Sequence, residues 1–243
     1  MTKLQMAMFP PKSDWVPPVE LPDIFDADEI SIDVETRDPN LKQKGPGWPT
    51  GDGEVVGYAV ATSGWKGYVP VGHAGGGNLD RRIISKWLKR VFESPADKIM
   101  HNAQYDLGWI RAEGFEVKGR VIDTMITASL IDENRFSYSL NALCYDHLGK
   151  TKSEKTLVEA AREFGVDPKG EMWKLPAMYV GPYAETDAEI TLELWNHFKT
   201  LLNREDLWDV WNLEISLLPH LVEMTRRGIR VDLDRAERTK QTL

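Results

Sequence analysis

The order of apolar patterns along the chain is the feature that most limits the fold. Residues 29–35 alternate apolar and polar side chains, which predicts a strand, and residues 55–62 and 67–71 predict two more, joined by a hairpin turn. Residues 79–93 then repeat apolar side chains at helical spacing, and residues 98–100 predict a short buried strand. Strands followed by strands that alternate with helices predict an α/β layered domain with a mixed sheet.

The rest of the chain is predicted to be mainly helical. A helix over residues 104–113 has Asn102 as its expected N-cap, and residues 121–122 form a short strand. Pro182 suits the first turn of a long helix over residues 183–202. Residues 39–53, rich in Gly, Pro and Lys, are expected to form a mobile loop beside the end of the first strand. Further helices are expected at residues 124–131, 139–148, 156–164, 208–227 and 233–243.

Composition excludes several classes of protein. The chain has 243 residues and a net charge of −8, which argues against tight, sequence-independent binding of nucleic acid but not against its hydrolysis. The single cysteine, Cys144, permits no internal disulfide and fits a reducing compartment. No apolar run reaches the roughly 18 residues of a transmembrane helix, and the proline-rich start does not resemble a secretory signal.

Four acidic residues lie in three separated segments at positions that can converge. Asp33 and Glu35 are two apart on a predicted strand, so both side chains leave the same face. Asp106 falls in the first turn of a helix after a buried strand, near the carboxyl end of the sheet, where ligand sites in α/β proteins collect. Tyr183 and Asp187 are four apart on a predicted helix and share a face. Singly, such acids are ordinary surface features; together they predict a site for two divalent metal ions, the usual machinery for cutting phosphodiester bonds.

Substrate contacts are predicted from exposed aromatic and cationic side chains. Trp48, Lys42 and Lys44 lie in the predicted loop after the first strand and are candidates for holding a single-stranded end. A solvated loop with no such role explains these residues equally well. Asn102 is a further candidate for holding the terminal nucleotide.

The ordered combination resembles the three exonuclease motifs of the DEDD superfamily. D-x-E on a first strand, N-x-x-x-D at a helix start and Y-x-x-x-D on a late helix match its tyrosine-bearing branch, which has the RNase H-like fold. The surrounding residues H-N-A-Q-Y-D-L and Y-A-E-T-D-A resemble the proofreading 3′-5′ exonuclease domain of family A (polymerase I-like) DNA polymerases. The resemblance implies a mixed central sheet flanked by helices, and hydrolysis of DNA 3′ ends to nucleoside monophosphates.

The resemblance also implies a role for each matching residue. Asp33 would bridge two metal ions, Glu35 and Asp187 would complete the site of the ion that activates water, and Asp106 would act on the second ion. Tyr183, helped by Glu35, would orient the nucleophile. Oxygen ligands with few protein groups for each ion favour two Mg²⁺ ions, with Mn²⁺ as a substitute.

The C-terminal residues imply a partner within the same polypeptide. The pattern E-x-x-L-L-P-x-L-x-x-M, followed by G-I-R-V-D, resembles the segment where family A enzymes pass from exonuclease to polymerase. We therefore expect an arm over residues 1–27, an exonuclease domain over residues 28–203, and the start of a connection to a polymerase domain over residues 204–243. The expected substrate is a single-stranded or frayed DNA 3′ end, and the expected location is the cytoplasm of a bacterial or virus-infected cell.

Two other functions are compatible with parts of this pattern. An RNase D-like exonuclease that trims RNA 3′ ends shares the three motifs, but it would replace the C-terminal segment with a helical nucleic-acid-binding domain. A catalytically silent domain that only positions DNA or a polymerase is disfavoured, because all four acids and the tyrosine are present.

Overall fold

A mixed five-stranded sheet forms the centre of the molecule. A computed structural model describes residues 10–242; the first nine residues of the expected arm and Leu243 lie outside the described residues. The strands lie in the order β3-β2-β1-β4-β5. Strand β2 runs antiparallel to both of its neighbours, β1 and β3, whereas β4 and β5 run parallel to β1. The strands are β1 (Glu29–Arg37), β2 (Glu54–Ala61), β3 (Lys66–Pro70), β4 (Asp97–Met100) and β5 (Val121–Asp123). The predicted mixed sheet is confirmed.

Helices cover both faces of this sheet. They are α1 (Leu41–Lys44), α2 (Arg81–Glu93), α3 (Ala103–Ala112), α4 (Thr124–Ile131), α5 (Leu140–Leu148), α6 (Lys155–Phe164), α7 (Ala177–Arg204), α8 (Trp208–Arg227) and α9 (Leu233–Thr242), with a 3₁₀ turn at Met172–Lys174. Of these helices, α1 and α9 bury no residue. Except for α1 and the start of α7, their bounds agree with the sequence-based expectations within two residues. In the described part of the chain, no helix has the length and apolarity to cross a bilayer.

Strand β1 lies in the middle of the sheet. The sheet has one hydrophobic core on one face and two smaller clusters on the other. Ile30, Ile32 and Val34 face a core shared with α2 and α3. The opposite face of the sheet is covered by α7, whose apolar residues pack on Ala59 and Tyr68 in one cluster and on the β4 and β5 strands in another. Alternate residues of β1 point to opposite faces, so Asp33 and Glu35 point toward the α7 layer.

Helix α7 begins six residues before the predicted start. The prediction placed Pro182 in the first turn, but the helix runs from Ala177, so Pro182 lies inside it. Proline has no N–H to donate to the carbonyl four residues earlier, that of Met178. The hydroxyl of Ser13 donates to this Met178 oxygen instead, at 2.8 Å. The N-terminal arm therefore supplies the hydrogen bond that the proline removes, which explains the longer helix.

Helix α8 belongs to the same packed body as the sheet. Trp211 is fully buried and stacks on Trp195 of α7, with ring centroids 5.2 Å apart. Leu218 and Val222 of α8 are buried in the core beside α3. Helix α8 thus packs on the same cores as α3 and α7, whereas none of the α9 residues is buried.

A buried lysine, Lys98, fixes the turn that precedes β4. Lys98 is fully buried, and its ammonium donates to the carbonyl oxygens of Ser94 at 2.9 Å, Ala96 at 2.7 Å and Lys118 at 2.9 Å. Burial lowers the pKa of Lys98 to about 8, so the side chain is still charged at neutral pH. These three bonds join the turn before β4 to the segment that leads into β5.

Replacing Lys98 with Met should destabilise the fold by about 1–3 kcal/mol, because its carbonyl partners lose their shared donor. Urea unfolding at equilibrium measures the free energy of unfolding. Lys89→Met on α2, whose side chain is 66% exposed, is the matched control and should change stability by less than about 0.5 kcal/mol. Equal stability of the Lys98 variant and the wild type would contradict a stabilising role of Lys98 in the turn before β4.

Candidate active site

Strand β1 supplies two of the four predicted acids. Glu35 is buried and Asp33 is partly exposed, and both leave the face of β1 that α7 covers. Pairing between β1 and β2 shifts register between Glu35 and Thr36, so the regular ladder is interrupted directly after the second acid. Such an irregularity bends the strand and re-aims the side chains beside it.

Asp106 reaches β1 from the first turn of α3. Its Oδ1 accepts a hydrogen bond from the backbone N–H of Val34 at 3.2 Å. Val34 lies between Asp33 and Glu35, so this bond holds the third carboxylate beside the first two. The contact joins residues 72 positions apart in the chain.

The start of α3 is fixed by a second carboxylate. Asp123, at the end of β5, accepts hydrogen bonds from the backbone N–H groups of Asn102 at 3.0 Å and Ala103 at 2.8 Å. Asn102 adopts the left-handed conformation, with φ of 62°, and stands at the N-cap position without the side-chain bond of a cap. This conformation is unusual for a residue other than glycine. The Asn102 side chain is exposed.

Helix α7 contributes Asp187 and Tyr183 on one face. Asp187 is buried, and both of its carboxylate oxygens accept hydrogen bonds from the ammonium of Lys152, the longer at 2.6 Å. The same ammonium lies 3.7 Å from the centroid of the Tyr183 ring, which is a cation–π contact. Lys152 therefore bridges the acid and the phenol that the sequence motif pairs.

Sequence reasoning missed Lys152. The residue lies between α5 and α6 in the segment K-T-K-S-E-K, a run of charges that is typical of a solvated loop. In the structure its side chain is only 3% exposed. Its position depends on how the α5–α6 connection packs on α7, and no spacing within the sequence reports that contact.

The pKa shifts of the acids show that they share one electrostatic environment. Burial raises the pKa of Asp33 to about 7; the Asp187 charge adds to the rise, and Lys152 opposes it. Burial, followed by the charges of Asp33 and Asp187, raises the pKa of Glu35 well above its usual range. Burial, followed by the Asp33 charge, does the same to Asp106. For Asp187 itself, burial raises the pKa and Lys152 lowers it.

The chemistry of this donor set fits hard divalent cations. Four carboxylates that repel one another are stabilised by positive charge, and all-oxygen donors suit Mg²⁺ or Mn²⁺. Within residues 10–242, no three His, Cys, Asp or Glu side chains already stand close enough together to hold an ion. The Lys152 ammonium occupies both oxygens of Asp187, so an ion that used Asp187 would replace this contact.

The structure contradicts the expected exposure of Trp48. The side chain is only 5% exposed and packs so closely on α3 that a Cβ at Gly108 would lie 2.2 Å from the indole ring. Its ring faces are therefore not free to stack on a nucleotide, and the prediction that Trp48 binds substrate is wrong for this arrangement. The predicted mobile loop also contains the one-turn helix α1. Lys42 and Lys44 are exposed there, as expected.

Comparison with known proteins gives the same assignment as the motifs. Residues 24–203 match the model of the 3′-5′ exonuclease domain of family A DNA polymerases. A DNA-directed DNA polymerase of Pseudomonas phage M6 is 38% identical over 248 residues, which cover 98% of this chain and 37% of the relative. The chain thus spans about a third of the length of the curated relatives that it matches.

Solved structures with a similar fold share less of the sequence. Brucella melitensis NrnC with bound Mg²⁺ has a TM-score of 0.61 and 18% identity, covering 85% of this chain and 89% of that one. The POL domain of Pol1 from M. smegmatis, in complex with DNA primer-template and dNTP, has a TM-score of 0.63 and 17% identity, covering 90% and 32%. Escherichia coli RNase D has a TM-score of 0.56 and 15% identity, covering 85% and 47%. These similarities confirm the predicted RNase H-like fold of the DEDD exonucleases.

The family match extends from just before β1 to the end of α7. It therefore contains all four acids, Tyr183 and the connection that carries Lys152. The motifs, the sheet topology and this match agree: the chain belongs to the 3′-5′ exonuclease family of family A DNA polymerases.

Proposed function

We propose that this chain hydrolyses the terminal phosphodiester bond of a single-stranded or frayed DNA 3′ end and releases nucleoside monophosphates. The activity resides in residues 28–203 and depends on two divalent ions, Mg²⁺ or Mn²⁺. In a polypeptide that also carries a polymerase domain, it edits the end of the growing strand. The observation that carries this proposal is that β1, α3 and α7 bring interacting carboxylates to one site. Asp106 is hydrogen-bonded to β1 between Asp33 and Glu35, and the charge of Asp187 raises the pKa of both β1 acids.

DNA is favoured over RNA by the identity of the relatives. The relative with 38% identity is named as a DNA-directed DNA polymerase, and its match covers nearly the whole chain. The fold does not discriminate, because both RNase D and a DNA-bound polymerase share it. A catalytically silent role would leave the presence of all four acids and Tyr183 without explanation.

The residues divide into metal ligands and groups that act on water. Exonucleases of this family use divalent metal ions, and Asp33, Glu35, Asp106 and Asp187 are the residues that would hold them here. When bound, such ions lower the pKa of water toward neutrality and offset the charge that grows on the phosphate and the leaving 3′ oxygen.

Tyr183 acts as a hydrogen-bonding group in this proposal. Burial, followed by the charges of Asp187 and Glu35, raises the pKa of its phenol far above the usual value. The hydroxyl therefore keeps its proton at physiological pH and can orient an attacking water, together with the Glu35 carboxylate. In this proposal Asn102, which is exposed at the start of α3, helps to hold the terminal nucleotide.

Incubation with 5′-labelled single-stranded DNA and Mg²⁺ should give a ladder that shortens from the 3′ end. The expected product is nucleoside monophosphate, and EDTA should abolish its release. RNA of the same sequence should be cut more slowly. Faster cutting of RNA would favour RNA trimming instead, and metal-independent cutting would contradict the proposed chemistry.

Asp33→Asn should lower this activity by on the order of 10²–10³-fold, because the site would lose a carboxylate that would hold the ions. Glu189→Gln on α7 is the matched control. Glu189 is a half-exposed acid paired with Lys66, and its loss should leave the activity near the wild-type value. Equal loss in the two variants would show that a general change of charge, and not the Asp33 site, causes the effect.

Tyr183→Phe should lower kcat by on the order of 10²-fold through loss of the hydroxyl that orients water. The aromatic ring and its contact with Lys152 remain, so KM for DNA and the affinity for Mn²⁺ should stay close to the wild type. Steady-state kinetics and calorimetry measure these quantities. An unchanged kcat would remove Tyr183 from the mechanism.

Thermal melting in EDTA should reveal the raised pKa of Asp33. The folded state holds this proton more tightly than the unfolded state, so the contribution of Asp33 to stability is lost as the pH rises from about 4 to about 7. Between pH 5 and pH 8, Asp33→Asn should therefore lose less stability than the wild type, and saturating Mg²⁺ should reduce the loss in the wild type. Parallel pH profiles for the two proteins would contradict a raised pKa at Asp33.

A further inference from the structure

Lys152 is a positively charged residue in direct contact with one of the four acids, Asp187. Its side chain is 3% exposed, and its ammonium contacts both oxygens of Asp187 and the ring of Tyr183. A second carboxylate is within reach, because Glu154 Oε1 lies 3.7 Å from the same ammonium. Glu154 is itself held by the amide of Asn141 at 3.2 Å and lies near Lys169 at 3.6 Å.

A buried ammonium and a divalent ion both need carboxylate oxygens at this site. Each needs carboxylate oxygens to compensate for lost hydration, and Asp187 offers two oxygens. Lys152 holds both, so the ammonium and an ion that uses Asp187 cannot bind these oxygens in the same way at the same time. The nearby Glu154 gives the ammonium another partner without a return to bulk solvent.

We propose that Lys152 is a built-in countercation that competes with the divalent ion for Asp187 and so weakens the affinity of the site for metal. In the metal-free protein it compensates the Asp187 charge and keeps the acids folded together. When an ion binds, the ammonium withdraws toward Glu154. This inference rests on the proposed metal-dependent function and adds to it a residue that sets the metal affinity.

An ordinary structural ion pair makes a different prediction. Loss of the lysine would then destabilise the protein, but the affinity for metal would not increase. Metal affinity therefore separates the two roles, whereas stability alone does not.

The test is calorimetric titration of Mn²⁺ into the wild type and Lys152→Met, without DNA. The variant should bind Mn²⁺ roughly tenfold or more tightly, because the ion no longer displaces a charge-assisted hydrogen bond. Lys150→Met is the matched control. It removes the same charge two residues away, from a side chain that is 55% exposed and pairs with Glu193, and it should leave the affinity near the wild-type value.

Thermal melting provides a second measurement. In EDTA, Lys152→Met should melt below the wild type because a buried carboxylate loses its partner. Mn²⁺ should then raise the melting temperature of the variant more than that of the wild type, as linkage requires of a tighter ligand. If the variant folds only when Mn²⁺ is present, the ion has replaced the ammonium, which also supports the proposal.

Three outcomes would overturn the inference. These are an unchanged or weaker Mn²⁺ affinity in Lys152→Met, an equal gain in Lys150→Met, and a variant that stays unfolded at saturating Mn²⁺. Lys152→Gln, which keeps a hydrogen-bond donor but no charge, should also bind Mn²⁺ more tightly than the wild type. Failure of the wild type itself to bind Mn²⁺ would instead reject the proposed function.

Discussion

Repulsion among neighbouring carboxylates is the physical constraint that the candidate site has to offset. Asp33, Glu35, Asp106 and Asp187 each have a raised pKa, and burial is the largest cause in every case. Acids of which three are buried and one is partly exposed are stable together only with compensating donors or cations. The protein supplies the Val34 N–H to Asp106 and the Lys152 ammonium to Asp187. One ammonium does not balance four carboxylates, and this excess of negative charge suits the site to divalent ions.

The acids that repel one another lie on well-packed elements, among them the central strand β1 and the long helix α7. Strand β1 is paired on both sides, and its two acids project toward α7. Helix α7 is long because Ser13 of the arm satisfies the carbonyl left free by Pro182. Trp15 continues this attachment, since its indole N–H donates to Glu185 of α7 at 2.9 Å. The N-terminal arm thus helps to position the helix that carries Tyr183 and Asp187.

Sequence reasoning succeeded where a short-range period determines the geometry. A spacing of two on a strand predicts that Asp33 and Glu35 share a face, and a spacing of four on a helix predicts the same for Tyr183 and Asp187. The structure has both pairs on shared faces. The fold class was predictable for the same reason, because the order of strands and helices limits the possible layers.

The errors have a common physical cause, which is contact between distant segments. Trp48 was expected on an exposed loop, but it is buried because Gly108 leaves space for its ring on α3. Pro182 was expected to start a helix, but Ser13, far away in the chain, lets the helix begin earlier. The sequence does not predict the role of Lys152, because its charged segment is typical of a solvated loop and only tertiary packing brings it onto Asp187.

Anomalous diffraction from crystals containing Mn²⁺ would test the central claim most directly, because it locates the ions and the lysine in one experiment. The account predicts two Mn²⁺ peaks among Asp33, Glu35, Asp106 and Asp187, with the Lys152 ammonium moved from Asp187 toward Glu154. Crystals without Mn²⁺ should retain the contact between Lys152 and Asp187. Absence of Mn²⁺ from the four carboxylates at saturating concentration, with Lys152 still bound to Asp187, would contradict it.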